Sequence, residues 1–217
     1  MSVLLKYCGH QSLSDLQKGI KSCADYLGII FAESKRKVDA HEAETWLKMV
    51  DLGKKQLVGV FVNSSAEDIY AVTELLPLSV IQCHGTETVE QIAKIKAATD
   101  LPVWKAIHHS EEALSKMRQY ATVADGYIVD SRVKGAWGGT GLSFNWEAIP
   151  FYLEEANRQG VPCFIAGGIT PDNVAQLLSY RPHGVDISSG IEENGKKSAR
   201  KMMEIEKRVK HDVQGTK

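Results

Sequence analysis

VPCFIAGGIT (Val161–Thr170) and HGVDISSGIE (His183–Glu192) are each a short apolar, β-rich run that stops at small residues. Gly167-Gly168 ends the first and Ser188-Ser189-Gly190 the second. Glycine lets backbone N–H groups approach an anion closely, and a helix starting just beyond adds the positive end of its dipole. Two such turns on neighbouring strands make a phosphate cup. In eightfold β/α barrels that cup lies in the loops after strands 7 and 8, so the reading depends on six similar units preceding it.

Six do precede it. Working back from Val161, apolar strand-like runs stand at Asp125–Ser131, Pro102–His108, Leu78–Gly85, Leu57–Val62, Tyr26–Phe31 and Leu4–Gly9. Each is followed by a helical pattern. Ser12 with Asp15, Asp39 with Glu42, and Ser65 with Asp68 are spaced as N-terminal caps, and Ser110 is a further candidate cap before Glu111-Glu112. Gly160 suits the end of a helix over about 151–159, Thr170-Pro171-Asp172-Asn173 suits the start of one, and a last helix is expected over about 198–212. The 217 residues divide into eight units of about 27 each, close to the minimum for a strand, a helix and two short loops. The strands lack polar alternation, as expected of a parallel sheet buried on both faces. The prediction is therefore an α/β chain forming one domain over residues 1–217, a single (β/α)8 (TIM) barrel. An open doubly wound sheet is disfavoured because no GxGxxG follows the first strand.

Composition narrows the function. A net charge of -1 without a basic block argues against nucleic acid as a partner. No apolar run approaches the roughly 20 residues of a membrane span, and no secretory signal pattern opens the chain, so a cytoplasmic protein is expected. Cys8, Cys23, Cys83 and Cys163 form no CxxC pair and read as free thiols, with no metal site. The long glycine-dense segment 132–146, with Gly138-Gly139-Thr140-Gly141, reads as a lid or binding loop.

Strand ends at the carboxyl side of a barrel carry its chemistry, which nominates Cys8, His84, Asp130 and, past the second strand, Arg36. Cys8 and Asp130 are the two able to move protons. Each also has a plain structural reading: a buried cysteine, a loop-capping aspartate, a core histidine, a solvated basic turn. Strand periodicity adds a further expectation. If Cys8 faces inward so does Lys6, and Asp186 shares a face with Ser188 on the strand that closes the barrel beside it. A buried Lys6–Asp186 ion pair under the site follows, since neither charge is tolerable there alone.

KYCG (Lys6–Gly9), SKRKV (Ser34–Val38), VGVFVN (Val58–Asn63), QCHG (Gln82–Gly85), Asp130-Ser131, GGTG (Gly138–Gly141), AGGITPDNV (Ala166–Val174) and GVDISSGIE (Gly184–Glu192) together resemble the phosphoribosylanthranilate isomerase family of tryptophan biosynthesis. The likeness runs over nearly the whole chain in order. It implies an Amadori rearrangement of N-(5-phosphoribosyl)anthranilate, with Cys8 as general base acting as thiolate, Asp130 as general acid with a raised pKa, and no metal or organic cofactor. It further implies phosphate on the N–H groups of Gly167, Gly168, Ser189 and Gly190, with the loop around Gly139 closing nearby, and the substrate carboxylate on Arg36. Lys6, His84 and Asp186 would support them. The expected partner is a small phosphorylated sugar, and the expected assembly a monomer or homodimer. The likeness departs at His10, at Cys83, and in the segment after Glu192. Related phosphate-binding barrels, such as thiamine phosphate synthase-like or ribulose phosphate epimerase-like enzymes, and a noncatalytic metabolite sensor remain the alternatives.

Overall fold

The computed structural model of the chain describes residues 3–130 and 146–214, with side chains as far as residue 209. Eight strands alternate with eight helices. The strands are β1 (Leu4–Cys8), β2 (Tyr26–Ile30), β3 (Gln56–Phe61), β4 (Val80–Cys83), β5 (Val103–His108), β6 (Gly126–Asp130), β7 (Cys163–Ala166) and β8 (Gly184–Ile187). The helices are α1 (Leu13–Lys21), α2 (Ala40–Leu47), α3 (Ala66–Leu75), α4 (Val89–Thr99), α5 (Ala113–Gln119), α6 (Ile149–Gln159), α7 (Val174–Leu178) and α8 (Ala199–Gln214). The strands pair in parallel in chain order and β8 returns to β1, closing the (β/α)8 barrel expected. A two-stranded hairpin, β9 (Glu192–Glu193) with β10 (Lys196–Lys197), lies between β8 and α8.

Residue parity decides which way each side chain points. Even-numbered strand residues, among them Val58, Val60, Trp104, Ile128 and Phe164, form the core inside the barrel. Their odd-numbered neighbours, such as Leu27, Ile81, Val129 and Ile165, pack against the helices. Toward the start of the strands the interior is closed by Tyr26, Trp104 and Phe164, whose ring centroids lie 4.8 to 5.6 Å apart. Gly126 and Gly184 make room for these rings: a Cβ there would come within 2.6 Å of Trp104 and 2.3 Å of Phe164. Among the described residues the same parity aims Lys6, Cys8, Gln82, Asp130 and Asp186 inward.

The helix starts follow the capping pattern in part. Ser12, Asp39 and Ser65 accept N–H bonds from their first turns, and Thr88 with Gln91 completes a reciprocal box at α4. Ser110 does not cap α5. Its carbonyl accepts the Ala113 N–H in a preceding turn, and the helix begins after Glu112. The helix expected from Thr170-Pro171 starts later, at Val174, because Asn173 turns its side chain back to accept from Thr170 N and donate to Gly168 O. Gly160, at φ 71, ends α6 in the left-handed conformation.

Candidate active site

The strand ends converge on one pocket. It is lined by Cys8, Arg36, His84, Asp130, Asp186 and the turns Ala166–Ile169 and Ile187–Gly190. Ser131 and the segment 132–145, including Gly139, lie outside the described residues.

Cys8 closes β1 opposite Gly28 of β2. A Cβ on Gly28 would stand 2.8 Å from the Cys8 sulfur, so the bare backbone of β2 is what lets the thiol face inward. Burial raises the Cys8 thiol above its ordinary pKa, although Lys6 and Lys197 pull the other way. The thiolate expected from the resemblance is thus a minor form of the unliganded protein at neutral pH. The remaining thiols are free as well: Cys83 and Cys163 are buried and pushed up to about 12, whereas Cys23 is exposed.

Beneath Cys8, Lys6 Nζ donates to Asp186 Oδ2 at 2.9 Å, with Lys6 fully buried. The pair expected from strand periodicity is therefore present, in the register Lys6↔Asp186. Burial by itself would lower the lysine, but Asp186 and Cys8 together outweigh it and hold the ammonium charged. Asp186 Oδ1 is buried and makes no hydrogen bond to any described residue, and the same holds for Ser188 Oγ and Gln82 Oε1. All three residues line the pocket. Buried polar atoms are rarely left alone, so these are ready contacts for a ligand rich in hydroxyl or amine groups.

Asp130 ends β6, and His84 Nε2 lies 3.6 Å from its Oδ2. Gln82, two residues earlier on β4, places its amide nitrogen 2.9 Å from His84 Nδ1. If that amide nitrogen donates, Nδ1 is the acceptor and the His84 proton sits on Nε2, facing Asp130. The backbone on either side of His84 is clamped from behind. Lys105 Nζ bonds the carbonyls of Cys83 and Gly85, and its partner Glu87 accepts from Gly85 N and Asn63 N.

The two phosphate-type turns are shaped by backbone. Gly167 and Gly168 both take positive φ, 91 and 64, where an L side chain is strained. At Gly190 the β8 turn runs so close to the β7 turn that a Cβ would lie 1.7 Å from the Ile169 carbonyl oxygen. The expected helix dipoles are weaker than anticipated. A single 3-10 turn, Ser189–Ile191, follows β8, and α8 starts only at Ala199.

Arg36 lies past β2 and passes over the end of β1, where a Cβ on Gly9 would meet its Cδ at 2.6 Å and Ser188 Oγ at 3.1 Å. It is not a free cation. Its Nε and Nη2 donate to the two oxygens of Glu192 at 2.7 and 2.8 Å, and Lys197 Nζ, fully buried, donates to the same carboxylate at 2.8 Å. The sequence reading passed over Glu192, Lys197 and Gln82. For the first two a signal existed: the Asn194-Gly195 dipeptide, a strong two-residue hairpin turn, pairs Lys197 with Glu192.

Among the described residues, no group of three or more His, Cys, Asp or Glu side chains is placed to hold a metal ion, and no helix is long and apolar enough to cross a membrane.

Residues 5–208 match the family model described as N-(5'phosphoribosyl)anthranilate (PRA) isomerase. The chain is 64% identical over 208 residues to N-(5'-phosphoribosyl)anthranilate isomerase of Geobacillus thermodenitrificans, covering 96% of this chain and 94% of that one. Its backbone superposes on the crystal structure of phosphoribosyl anthranilate isomerase from Thermotoga maritima with a TM-score of 0.84 at 30% identity, over 96% and 99% of the two chains. A phosphoribosyl anthranilate isomerase solved in complex with reduced 1-(o-carboxyphenylamino)-1-deoxyribulose 5-phosphate gives a TM-score of 0.81 at 28% identity, over 96% and 99%.

Proposed function

The chain belongs to the N-(5'-phosphoribosyl)anthranilate isomerase family, and on that premise we propose that it converts N-(5-phosphoribosyl)anthranilate to 1-(2-carboxyphenylamino)-1-deoxy-D-ribulose 5-phosphate with Asp130 as general acid and Cys8 as general base. The supporting observation is that a carboxyl, a thiol, a two-turn anion cup and an arginine line one pocket.

The chemistry assigns each a task. Asp130 gives its proton to the furanose ring oxygen as the C1–O bond breaks and the anilino nitrogen lone pair forms the Schiff base. Cys8, as thiolate, takes the C2 proton, and the C2–H electrons flow into the C1–N system to give the enolamine. Tautomerisation moves a proton to C1 and leaves a ketone at C2. No oxidant or reductant is consumed, because C1 is reduced as C2 is oxidised.

His84 beside Asp130 orients the acid. The N–H groups of Gly167, Gly168, Ser189 and Gly190 hold the phosphate, and Arg36 the anthranilate carboxylate. Lys6 contributes through Cys8: its ammonium, kept charged by Asp186, opposes the rise in thiol pKa that burial imposes.

The test follows the loss of substrate fluorescence with Cys8→Ser and Asp130→Asn proteins. Each should lower kcat by about a hundred- to ten-thousandfold, the usual worth of a positioned acid or base, while the reduced product analogue still binds. Near-normal turnover in either variant removes that residue from its role. Arg36→Ala should chiefly raise KM, and an unchanged KM takes Arg36 out of the site.

A further inference from the structure

We infer that Glu192 and Lys197 are positioning residues for substrate selection: across the β9–β10 hairpin they grip the Arg36 guanidinium by its Nε/Nη2 edge and leave its Nη1 side to an aromatic carboxylate. The inference rests on the reading of Arg36 given above and extends it to the residues that make that reading selective.

The guanidinium carries five N–H donors in a planar fork. Glu192 occupies the Nε hydrogen and one Nη2 hydrogen in a bidentate bond. Both Nη1 hydrogens and the second Nη2 hydrogen are left on the remaining edges, enough for a second bidentate carboxylate. Arg36 lines the pocket and Glu192 does not, so the protein's own carboxylate takes the rear edge of the fork.

Lys197 holds Glu192 in place. It is fully buried, and its Nζ spans Glu192 Oε1 at 2.8 Å and the Ser188 carbonyl at 3.1 Å. One ammonium thus ties the carboxylate behind Arg36 to the strand end that begins the β8 phosphate turn. The hairpin carrying it is firmly docked: Lys197 N donates to buried Asp15 at 3.0 Å, Lys18 reaches the Lys197 carbonyl at 2.8 Å, and Lys201 reaches the Glu192 carbonyl at 2.8 Å. Two cations and one anion leave the cluster one positive charge in surplus at the pocket wall, and a substrate carboxylate neutralises it. A neutral aryl group leaves that charge partly desolvated and unpaired, a penalty that selects against substrates lacking the carboxylate.

The test is calorimetric titration of two probes: the reduced product analogue, and its phenylamino counterpart lacking the carboxylate. Parent, Glu192→Gln, Arg36→Ala and the double variant Glu192→Met/Lys197→Met are compared, the last so that neither charge is stranded. The double variant keeps the surplus at one positive charge and should weaken the carboxylate probe by about tenfold or more, the scale for unsettling a buried charge pair, while changing the other probe by less than about twofold; Glu192→Gln should do the same to a smaller extent, its added positive charge partly offsetting the lost grip. Arg36→Ala should show the same selectivity. If Arg36→Ala discriminates between the probes and the Glu192 variants do not, or weaken both alike, Glu192 is no more than structural and the inference falls. If Arg36→Ala itself does not discriminate, the assignment of Arg36 fails first and takes this inference with it.

Discussion

At the β7 and β8 turns the pocket wall is backbone: two glycines at positive φ, and at Gly190 a turn that admits no Cβ beside the Ile169 carbonyl. Beside them, past β2, the wall is side chain: Arg36 over Gly9, with Glu192 and buried Lys197 behind it. The two regions meet at Ser188, whose carbonyl takes the Lys197 ammonium. They are sensitive to opposite changes. The backbone wall has no charge to lose but fails sterically with a single added carbon, whereas the side-chain wall fails when one partner of an ion pair is removed.

The largest effect should come from attacking the backbone wall with one methyl group. Gly190→Ala must force the β7 and β8 turns apart, so binding of the reduced product analogue should weaken by at least about a hundredfold, with a loss of stability on the scale of an overpacked core. Calorimetry together with thermal melting checks this. Parent-like affinity would mean that the two turns are not a joint phosphate cup.

Next in size is the ion pair under the thiol. Lys6→Met strands Asp186 inside the barrel and should cost about 3–5 kcal/mol in denaturant unfolding, the usual result of breaking a buried pair from one side. Removing the ammonium should also move the titration of Cys8, followed as its rate of alkylation by a neutral reagent in the unliganded protein, to higher pH. In the parent that alkylation rate should climb with pH from 7 toward and past the ordinary thiol value of 9.0, because burial raises the Cys8 pKa and leaves little thiolate at neutrality. A rate that levels off below 9.0 would contradict a thiol raised by burial. Unchanged stability and an unchanged profile in Lys6→Met would dismiss the supporting role of Lys6.

How far the two walls could be read from sequence follows from what they are made of. The backbone wall is written in small residues in a fixed order, so AGGIT and ISSGI located it before any contact was known. The strand and helix sequence was legible for a similar reason, since parity and capping are local. The ion pair Lys6–Asp186 was legible because closure of an eight-stranded barrel brings β8 beside β1. The rear of the side-chain wall was not. Glu192 and Lys197 are brought together by the hairpin geometry of Asn194-Gly195, and charge in a stretch such as EENGKK reads as a solvated surface until the turn is placed. Asn173 likewise looked like part of a helix start and is the clasp of the β7 turn.

The smallest effect concerns a residue in neither wall. His10 is fully buried, its Nδ1 3.1 Å from the Gly28 carbonyl, and its pKa is lowered to about 3, chiefly by burial and then by the nearby Lys197. Between about 6.5 and 3 the unfolded chain binds a proton that the folded one refuses, so stability is complete above 6.5 and declines as pH falls through that window. His10→Leu should flatten that decline. At neutral pH it should change stability by less than about 1.5 kcal/mol, the range of a volume-conserving swap, because the Gly28 carbonyl also accepts from Gly9 N and His10 N. Urea titrations at pH 5 and pH 7.5 measure both values, and an equal loss at the two pH values would contradict the buried neutral imidazole.

The most direct test of the acid–base account is a crystal structure of this protein with the reduced product analogue. The phosphate should lie on the N–H groups of Gly167, Gly168, Ser189 and Gly190, and the aryl carboxylate on the Nη1 side of Arg36. Cys8 Sγ should lie within reach of C2, and the Asp130 carboxyl within reach of the oxygen freed from the ring. A ligand bound with its phosphate on Arg36, or with C2 out of reach of Cys8, would contradict the acid–base account.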